Sequence, residues 1–552
     1  MPAGEIQLVA YGVENMFLND DPQITFFKII YRRYTNFSIE TIRTDFLYPA
    51  RFGKKYSCEL SKIGDLINNL WLIIELPDIP IIYNLQNNID SKIKFKWTKK
   101  IAYALIDYVE ISISGHVIDR QWGEWMNVLN ELNFNNFQSS LDQYIGNVPE
   151  VTTYKKIQDN IQSYILHIPL FFWFCKSSGL ALPVLCLEYN SIKFNIQFNE
   201  FANCGIFSPS NFIAVQKYYG TSVLGEPLVQ ISNQGIAWGE FDSIDINSYD
   251  PATLHVTSYN LYYRKISDNS FITTTQDYYN KFINYNIVLL TQFLNIIKNK
   301  INFFIYGLYS GAIYIPVSSS ITNYKSIYIE QNYFYTIPQD IQLKNIYLLC
   351  DYIYLDREER LKFYENKHNY VIEQVYFSNN IYLQNINNKN SIELINPCKY
   401  FVFMGQVQYF TNPNVNELFN YTNLFFDDNV AFNNKTLIKR KTVVSMANFS
   451  LNSSIVNTPI EMEYYKLYTP FNYFTMSHVP SGFGIESFSL YPQNVQPSGS
   501  CNMSCFNIFD INTQFNKIDI DYNNYIFKTY AVTYNILRIA NGVCGTVFNS
   551  NY

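Results

Sequence analysis

The densest group of ionisable side chains in the sequence is one short segment, Asp356-Arg357-Glu358-Glu359-Arg360. Two carboxylates held close together can pass a proton to and from a substrate, as general acid and base catalysis requires. Here arginines stand between and beside the acids, so ion pairing on a polar turn is the simpler interpretation. The spacing also predicts a helix start, because Asp356 can cap the helix while Glu359, three residues later, reaches back to the cap.

Histidines and cysteines, the other common catalytic and metal-binding residues, are scattered along the chain. The five histidines show no metal-ligand spacing; they are His116, His167, His255, His368 and His478. Cys501 and Cys505 are separated by three residues, but only His478 lies in the same part of the chain, which argues against zinc. Glycine-rich phosphate loops and G-x-S-x-G elbows are also missing. We therefore predict no catalytic, cofactor-binding or metal site, and no enzyme.

Composition favours β-strands and gives no general attraction for nucleic acid. Aromatic residues make up 18% of the 552 residues and charged residues only 16%, a balance that suits half-buried pleated surfaces. The formal net charge is -6, and Lys439-Arg440-Lys441 is too short a basic run to attract a phosphate backbone. Nine cysteines, an odd number in so long a chain, do not suggest a disulfide framework. We expect reduced thiols and no direct nucleic-acid partner.

Targeting and membrane signals are weak. Glu5 occupies a region that would be basic in a signal peptide, and no apolar run follows it. The most apolar window, Ile287 to Val317, is interrupted by Lys298 and Lys300, which are costly at the centre of a bilayer. These features predict a soluble chain.

The elements that would have to position any site are strands. Residues Ile192 to Phe198 alternate strictly between apolar and polar side chains, which predicts a strand with one buried face. Val109 to Ile113 alternates in a similar way, and the turn Ser114-Gly115 followed by His116 predicts a hairpin. Since no long 3.6-residue periodicity accompanies these strands, an α/β architecture is excluded and jelly rolls or sandwiches remain.

Several segments together carry a resemblance to a known family. They are Pro22 to Lys28, Tyr31 to Arg33, Ser178 to Phe198, Tyr352 to Gln374, Gln496 to Asn502 and Tyr534 to Ile539. In their amino-acid sequences and in their order along the chain, these segments resemble the major capsid proteins of nucleocytoplasmic large DNA viruses, the shell proteins of giant and algal viruses. The sequence from Asn396 to Gln408 matches that of the corresponding family strand only loosely. The long segment between residues 205 and 340 is also unusual when compared with family members that have shorter chains.

The resemblance implies an all-β fold of two consecutive eight-stranded jelly rolls with a long insertion in the first. The implied division is an N-terminal arm over 1–24, a first jelly roll over 25–356 with the insertion at about 205–340, a short helical linker over 357–369, and a second jelly roll over 370–552. In a jelly roll, alternate loops leave at the same end. The insertion should therefore join the other long loops of the first jelly roll, at a pole that we expect to face outward.

The resemblance also implies a structural role. Three chains would form a homotrimer, a pseudo-hexameric capsomer that tiles an icosahedral shell in the virion after assembly in the host cytoplasm. Implied partners are neighbouring capsomers, minor capsid proteins and an internal membrane beneath the shell. Two alternatives stay open. One is a low-copy capsid paralogue, and the other is a glycan-binding jelly roll that uses residues 205–340 for host attachment.

Glycosylation is a further hypothesis, since members of the family often carry sugars on outer loops. Asn-x-Ser/Thr motifs are acceptors for N-linked sugars, and in an Asn-rich chain six of them are close to the number expected by chance. The motifs are at Asn36, Asn420, Asn434, Asn448, Asn452 and Asn502. Those selected as candidates are Asn420, Asn434, Asn448 and Asn452, all in the second half of the chain.

Overall fold

The computed structural model describes residues 34–79, 93–132, 138–156, 161–209, 211–232, 235–249, 256–266, 271, 302–316, 341–413, 415–423, 430–432, 435–438, 441–474, 482–516 and 524–548. The predicted N-terminal arm and the segment Pro22 to Lys28 lie outside these residues.

Strands dominate the described residues. Those up to Ser208 are β1 (Phe37–Asp45), β2 (Lys55–Glu59), β3 (Leu66–Glu75), β4 (Lys94–Trp97), β5 (Ile106–Ile113), β6 (His116–Trp122), β7 (Lys155–Lys156), β8 (Ile165–Pro169), β9 (Leu182–Pro183), β10 (Ile192–Phe198) and, at the start of the insertion, β11 (Gly205–Ser208). Four short helices lie among them: α1 (Ile101–Leu105), α2 (Gly123–Leu132), α3 (Gln138–Tyr144) and α4 (Pro149–Thr152).

The insertion and the rest of the chain continue the series. The insertion contains β12 (Asn211–Tyr219), β13 (Pro227–Ser232), β14 (Gly235–Tyr249), β15 (Val256–Lys265), β16 (Asn302–Gly307) and β17 (Ile313–Pro316). After it come β18 (Ile346–Leu355), α5 (Arg357–Glu365), β19 (His368–Phe377), β20 (Ile381–Leu383), β21 (Asn387–Ile392), β22 (Pro397–Val407), β23 (Val430–Phe432), β24 (Lys435–Ile438), β25 (Val444–Leu451), β26 (Ser454–Ile455), β27 (Ile460–Glu461), α6 (Thr469–Tyr473), β28 (Gly484–Ser487), β29 (Cys501–Asn502), β30 (Phe509–Phe515), β31 (Tyr525–Ala540) and β32 (Val543–Thr546).

The main strands outside the insertion form two lobes with the same strand order, and β18, which follows the insertion, completes the first lobe. In the first lobe one sheet has the order β1-β18-β3-β8 and the other β2-β10-β5-β6. In the second lobe the orders are β19-β31-β22-β28 and β21-β30-β25-β26. Counted along the eight main strands of each lobe, both follow the pattern 1-8-3-6 facing 2-7-4-5, which is the jelly roll. The predicted fold of two consecutive jelly rolls is confirmed.

Local sequence explains these strands where the pattern is clear. Strand β10 covers Ile192–Phe198 as predicted; Ile192, Phe194, Ile196 and Phe198 are buried, and Lys193 is exposed. The predicted hairpin is also present, with β5 paired to β6. Its turn residues Ser114 and Gly115 both have positive φ, 52° and 84°. That is the conformation of the two-residue turns that match strand twist.

The insertion folds into a closed barrel of its own, in the order β12-β15-β14-β13-β16-β17. It enters the chain between β10 and β18, the last two main strands of the first lobe. At its base, β11 pairs with β4, and β4 pairs with β7. These three strands come from three different connections of the first lobe, so all three leave at one end, as predicted. Lys94 fixes the barrel from β4 by an ion pair of 2.5 Å with Asp242.

Candidate functional site

The joint between the lobes, where ionisable residues cluster in sequence, is a capped helix that is tied to the first lobe. The Asp356 carboxylate accepts a hydrogen bond from the Arg357 N–H at 2.7 Å. The predicted return contact from Glu359 to the cap is not among the hydrogen bonds of the described residues. Arg360 instead makes an ion pair of 3.0 Å with the buried Asp65 of the first lobe, and Asp65 also accepts from the Leu355 N–H at 2.8 Å. Asp356 and Asp65 thus fix the joint.

A larger contact between the lobes is made by helix α2, which lies in the connection between β6 and β8. Its apolar face consists of Trp125, Val128, Leu129 and Leu132, all buried in one cluster with side chains of the second lobe. The Trp125 ring stacks on that of Tyr530 with ring centroids 5.6 Å apart. A helix of the first lobe therefore completes the hydrophobic packing of the second.

Polar groups at the start of α2 join the same interface. The Glu124 carboxylate makes an ion pair with Lys528 at 2.9 Å and accepts hydrogen bonds from the hydroxyls of Tyr530 at 2.9 Å and Tyr421 at 3.1 Å. Burial raises the pKa of both tyrosines, and the nearby negative charge of Glu124 raises it further. Both hydroxyls therefore stay protonated and donate to Glu124, so the carboxylate is satisfied by three partners.

A second buried ion group crosses between the lobes. Glu373 on β19 of the second lobe pairs at 2.6 Å with Lys399 on β22, which lies on the other side of β31 in the same sheet, and it also pairs with Lys176 of the first lobe. Burial acts to raise the pKa of Glu373, but the two lysines outweigh it and the pKa is lowered. Beside this group, the Gln374 side chain donates to the Ile118 carbonyl of the first lobe. Such directional bonds fix the angle at which the two jelly rolls meet.

The insertion is anchored by a third buried ion group. The Arg264 guanidinium bonds to the Glu240 carboxylate at 2.9 Å and donates to the Val415 carbonyl of the second lobe at 3.0 Å. The Tyr154 hydroxyl of the first lobe donates to Glu240 at 2.8 Å. Burial would raise the pKa of Glu240, but Arg264 and Lys96 lower it to about 2. The Glu240–Arg264 pair thus links the insertion to both lobes: Glu240 bonds the first lobe through Tyr154, and Arg264 bonds the second lobe through the Val415 carbonyl.

Glu486 on β28 contrasts with these satisfied acids. Its carboxylate makes no hydrogen bond or ion pair within the part of the chain that the structure describes, and burial raises its pKa from 4.5 to about 7. Because the folded pKa is the higher one, holding this carboxylate ionised destabilises the fold progressively as the pH rises from about 4.5 through 7. We expect Glu486→Gln to raise the free energy of unfolding by about 2 kcal/mol at pH 8 and by almost nothing at pH 4.

Urea unfolding at the two pH values measures this difference. The control is Glu461→Gln, since Glu461 is exposed on the nearby strand β27 and its replacement should change stability equally little at both. If Glu486→Gln changed the free energy of unfolding equally at pH 4 and pH 8, the pKa of Glu486 could not be raised in the folded chain.

The predicted glycosylation candidates differ in accessibility. Asn420 is only 6% exposed, and its side-chain oxygen accepts hydrogen bonds from the N–H and hydroxyl of Thr422, which is also buried. A sugar cannot be accommodated there without unfolding this turn, so the structure argues against that candidate. Asn448 is half-buried and Asn452 is exposed. Asn434 lies outside the described residues.

Metal-binding groups and membrane-spanning helices are both absent from the described ranges. Within them, no group of three or more His, Cys, Asp or Glu side chains could hold a metal ion. None of the helices in those ranges is long and apolar enough to cross a bilayer.

Comparisons with known proteins agree with this architecture. The family model "Major capsid protein N-terminus" matches residues 25–231, and "Large eukaryotic DNA virus major capsid protein" matches residues 359–545. The "Probable capsid protein 4" of Acanthamoeba polyphaga mimivirus is 32% identical over 552 residues, which is 100% of both chains. The chain belongs to the major capsid protein family of large eukaryotic DNA viruses. A further relative in this capsid family, the "Major capsid protein" of Phaeocystis pouchetii virus, is 24% identical over the full length of both chains.

Solved structures give the same fold for this capsid protein. The Faustovirus major capsid protein superimposes with a TM-score of 0.60 at 12% identity, covering 96% of this chain and 94% of that one. The subunit in the PBCV-1 virus capsid gives 0.57 at 18% identity, with coverage of 95% and 100%. At such low identity these two similarities establish the double jelly roll and nothing finer.

The residues that join the lobes were not predicted from the sequence. Helix α2 was not predicted, although Trp125, Val128, Leu129 and Leu132 follow the i, i+3, i+4, i+7 spacing of an amphipathic helix. The ion groups around Glu124, Glu373 and Glu240 left no local signal, because their partners lie far away in the sequence.

Proposed function

We propose that this member of the capsid family is a structural protein whose homotrimers form the capsomers of an icosahedral shell. The observation that carries the proposal is the presence of two jelly rolls of identical strand order, rigidly joined, in one chain. Three such chains around a threefold axis place six similar lobes in a ring, and closed rings are the usual form of homo-oligomers. A block of six similar lobes can tile a surface as a hexagon does.

This arrangement gives each segment of the chain a role in the shell. We assign residues 25–356 and 370–552 to the two lobes and 357–369 to the linker between them, with 1–24 as an arm. The insertion at about 205–340 leaves at the end of the first lobe that carries its other long connections, and we place that end on the outside of the shell. Neighbouring capsomers are the partners along the sides. Minor capsid proteins and a membrane would be the partners beneath.

Large apolar side chains on the surface support an oligomer. Leu47 is 87% exposed and Phe471 is 86% exposed. A single such residue means little, but in a shell protein these positions are available for contacts between subunits. The buried ion groups are all explained by contacts within the chain, so the protein needs no catalytic role to account for them. We therefore propose that it is not an enzyme.

The mass of the purified full chain in solution tests the proposal. We expect about three times the 64.8 kDa of the chain by light scattering. A strict monomer at high concentration would overturn the trimer. For the outward pole, antibodies against the insertion should bind intact virions, and a failure to bind would place the insertion elsewhere.

A low-copy capsid paralogue is the second candidate. One relative that aligns over its full length is the "Probable capsid protein 4" of Acanthamoeba polyphaga mimivirus, and the "Capsid protein 1" of the same virus is 34% identical over 216 residues. Several capsid proteins thus occur in that virus. The copy number of this chain per virion distinguishes a facet protein from a minor one. The glycan-binding alternative stays a prediction.

A further inference from the structure

Two cysteines of the second lobe stand directly opposite each other on paired strands. Cys398 on β22 is the register partner of Cys501 on β29. Directly opposite residues of an antiparallel pair have Cα atoms about 4.5 or 5.5 Å apart, depending on the hydrogen-bonding site. Both values fall in the range of about 4.4–6.8 Å that a disulfide spans. Both cysteines are reduced in this structure.

The two side chains also lie on the same side of the sheet. Cys398 is fully buried in the core of the second lobe, and Cys501 is partly buried and packs against that same core. The pKa of the Cys398 thiol is raised by burial and then by the neighbouring Cys501, which is a consequence of their closeness. Opposite positions and a shared face are the two conditions that a cross-strand bond requires.

The turn after Cys501 keeps this register. The Met503 N–H donates to the Asn396 carbonyl at 3.1 Å, and the Asn396 N–H donates to the Ser504 hydroxyl at 2.9 Å. The short strand β29 is therefore fixed next to the start of β22. Cys505, at the end of the same turn, is exposed.

We propose that Cys398 and Cys501 form a redox-dependent disulfide that links strand β22 to the turn between β28 and β30. Other cysteine pairs in the described chain lack this geometry. Cys58 and Cys350, for example, lie close together in the first lobe but on β2 and β18, which belong to different sheets.

The reaction is an exchange with a small disulfide such as oxidised glutathione. The Cys501 thiolate attacks one glutathione sulfur, forms a mixed disulfide and releases one glutathione thiolate. Cys398 then loses its proton and attacks the Cys501 sulfur, which releases the second glutathione thiolate. The two cysteines lose two electrons, the small disulfide gains them, and the two cysteine protons end on the two glutathiones. Since Cys398 is buried, the second step requires β29 to open transiently.

The bond would close a loop of about 100 residues and so restrict the unfolded second lobe. We expect oxidation to raise the melting temperature of the full chain by about 2–5 °C. The gain should disappear on addition of a reducing agent. The proposal rests on the cysteine geometry and does not depend on the capsid function.

The experiment treats the reduced full-length protein with oxidised glutathione under native conditions, blocks free thiols, and maps unreduced peptides by mass spectrometry. We expect a peptide in which Cys398 is linked to Cys501, with Cys58 and Cys350 still free. Cys505→Ser should keep this link and Cys501→Ser should lose both it and the gain in melting temperature. A link between Cys501 and Cys505, or glutathione on Cys505 alone, would overturn the proposal. The disulfide-linked peptides of the wild-type protein test the proposal even if a variant fails to fold.

Discussion

Arg264→Met is expected to lower the free energy of unfolding by about 3–5 kcal/mol, because it leaves the Glu240 carboxylate buried without its main partner. Arg264 is almost completely buried, and its side chain bonds both Glu240 and the Val415 carbonyl. Methionine matches its apolar length, so the loss comes from the charge and the hydrogen bonds. Urea unfolding at pH 7, followed by circular dichroism, measures the difference.

The pH dependence of this difference identifies its cause. In the native chain the pKa of Glu240 is about 2, below its ordinary 4.5, so the pair contributes stability that is present above about pH 4.5 and lost as the pH falls toward 2. In Arg264→Met the sign reverses, since burial now raises the pKa of Glu240 and protonation relieves the unpaired charge. The deficit of the variant should therefore shrink between pH 7 and pH 4.

Two controls separate charge from packing. The double variant Glu240→Gln/Arg264→Met removes both charges and should recover part of the loss, because a neutral pair needs no compensation. Arg43→Met breaks an exposed ion pair with Asp45, in which the two side chains are 54% and 61% exposed, and should change stability by less than about 1 kcal/mol. If Arg264→Met alone were as stable as Arg43→Met, the buried Glu240–Arg264 pair could not be what holds the insertion.

Trp125→Ala is expected to remove about 3–5 kcal/mol and to uncouple the lobes. Its ring is 1% exposed and stacks between Tyr530 and Tyr400 of the second lobe, with centroid distances of 5.6 and 6.4 Å. Alanine leaves a cavity at the centre of the interface, while the core of each lobe stays intact. Thermal unfolding should then separate into two transitions in place of one.

The matched control is Phe471→Ala, which removes a comparable ring from a side chain that is 86% exposed. It should change the stability of the single chain by no more than about 0.5 kcal/mol. If Trp125→Ala unfolded in one transition with near-native stability, α2 could not be the element that couples the jelly rolls. If Phe471→Ala reduced the trimer but not the stability of the chain, Phe471 would belong to a contact between subunits.

The sequence predicted those features that depend on near neighbours. The alternation at Ile192 to Phe198 sets the buried face of β10, since successive side chains of a strand point to opposite sides. Ser114-Gly115 determines the hairpin turn, and Asp356 starts α5. The double jelly roll and the place of the insertion followed from the family resemblance of longer segments.

Tertiary structure alone decided how the parts are joined. Glu124 and Lys528 are 404 positions apart, and Cys398 and Cys501 meet only because β29 pairs with β22. The insertion became a closed barrel, and three connections of the first lobe joined in the sheet of β4, β7 and β11. Hydrophobic periodicity shows which face of a strand is buried but not what covers it. Partners that distant loops bring together therefore leave no pattern in the linear order of residues.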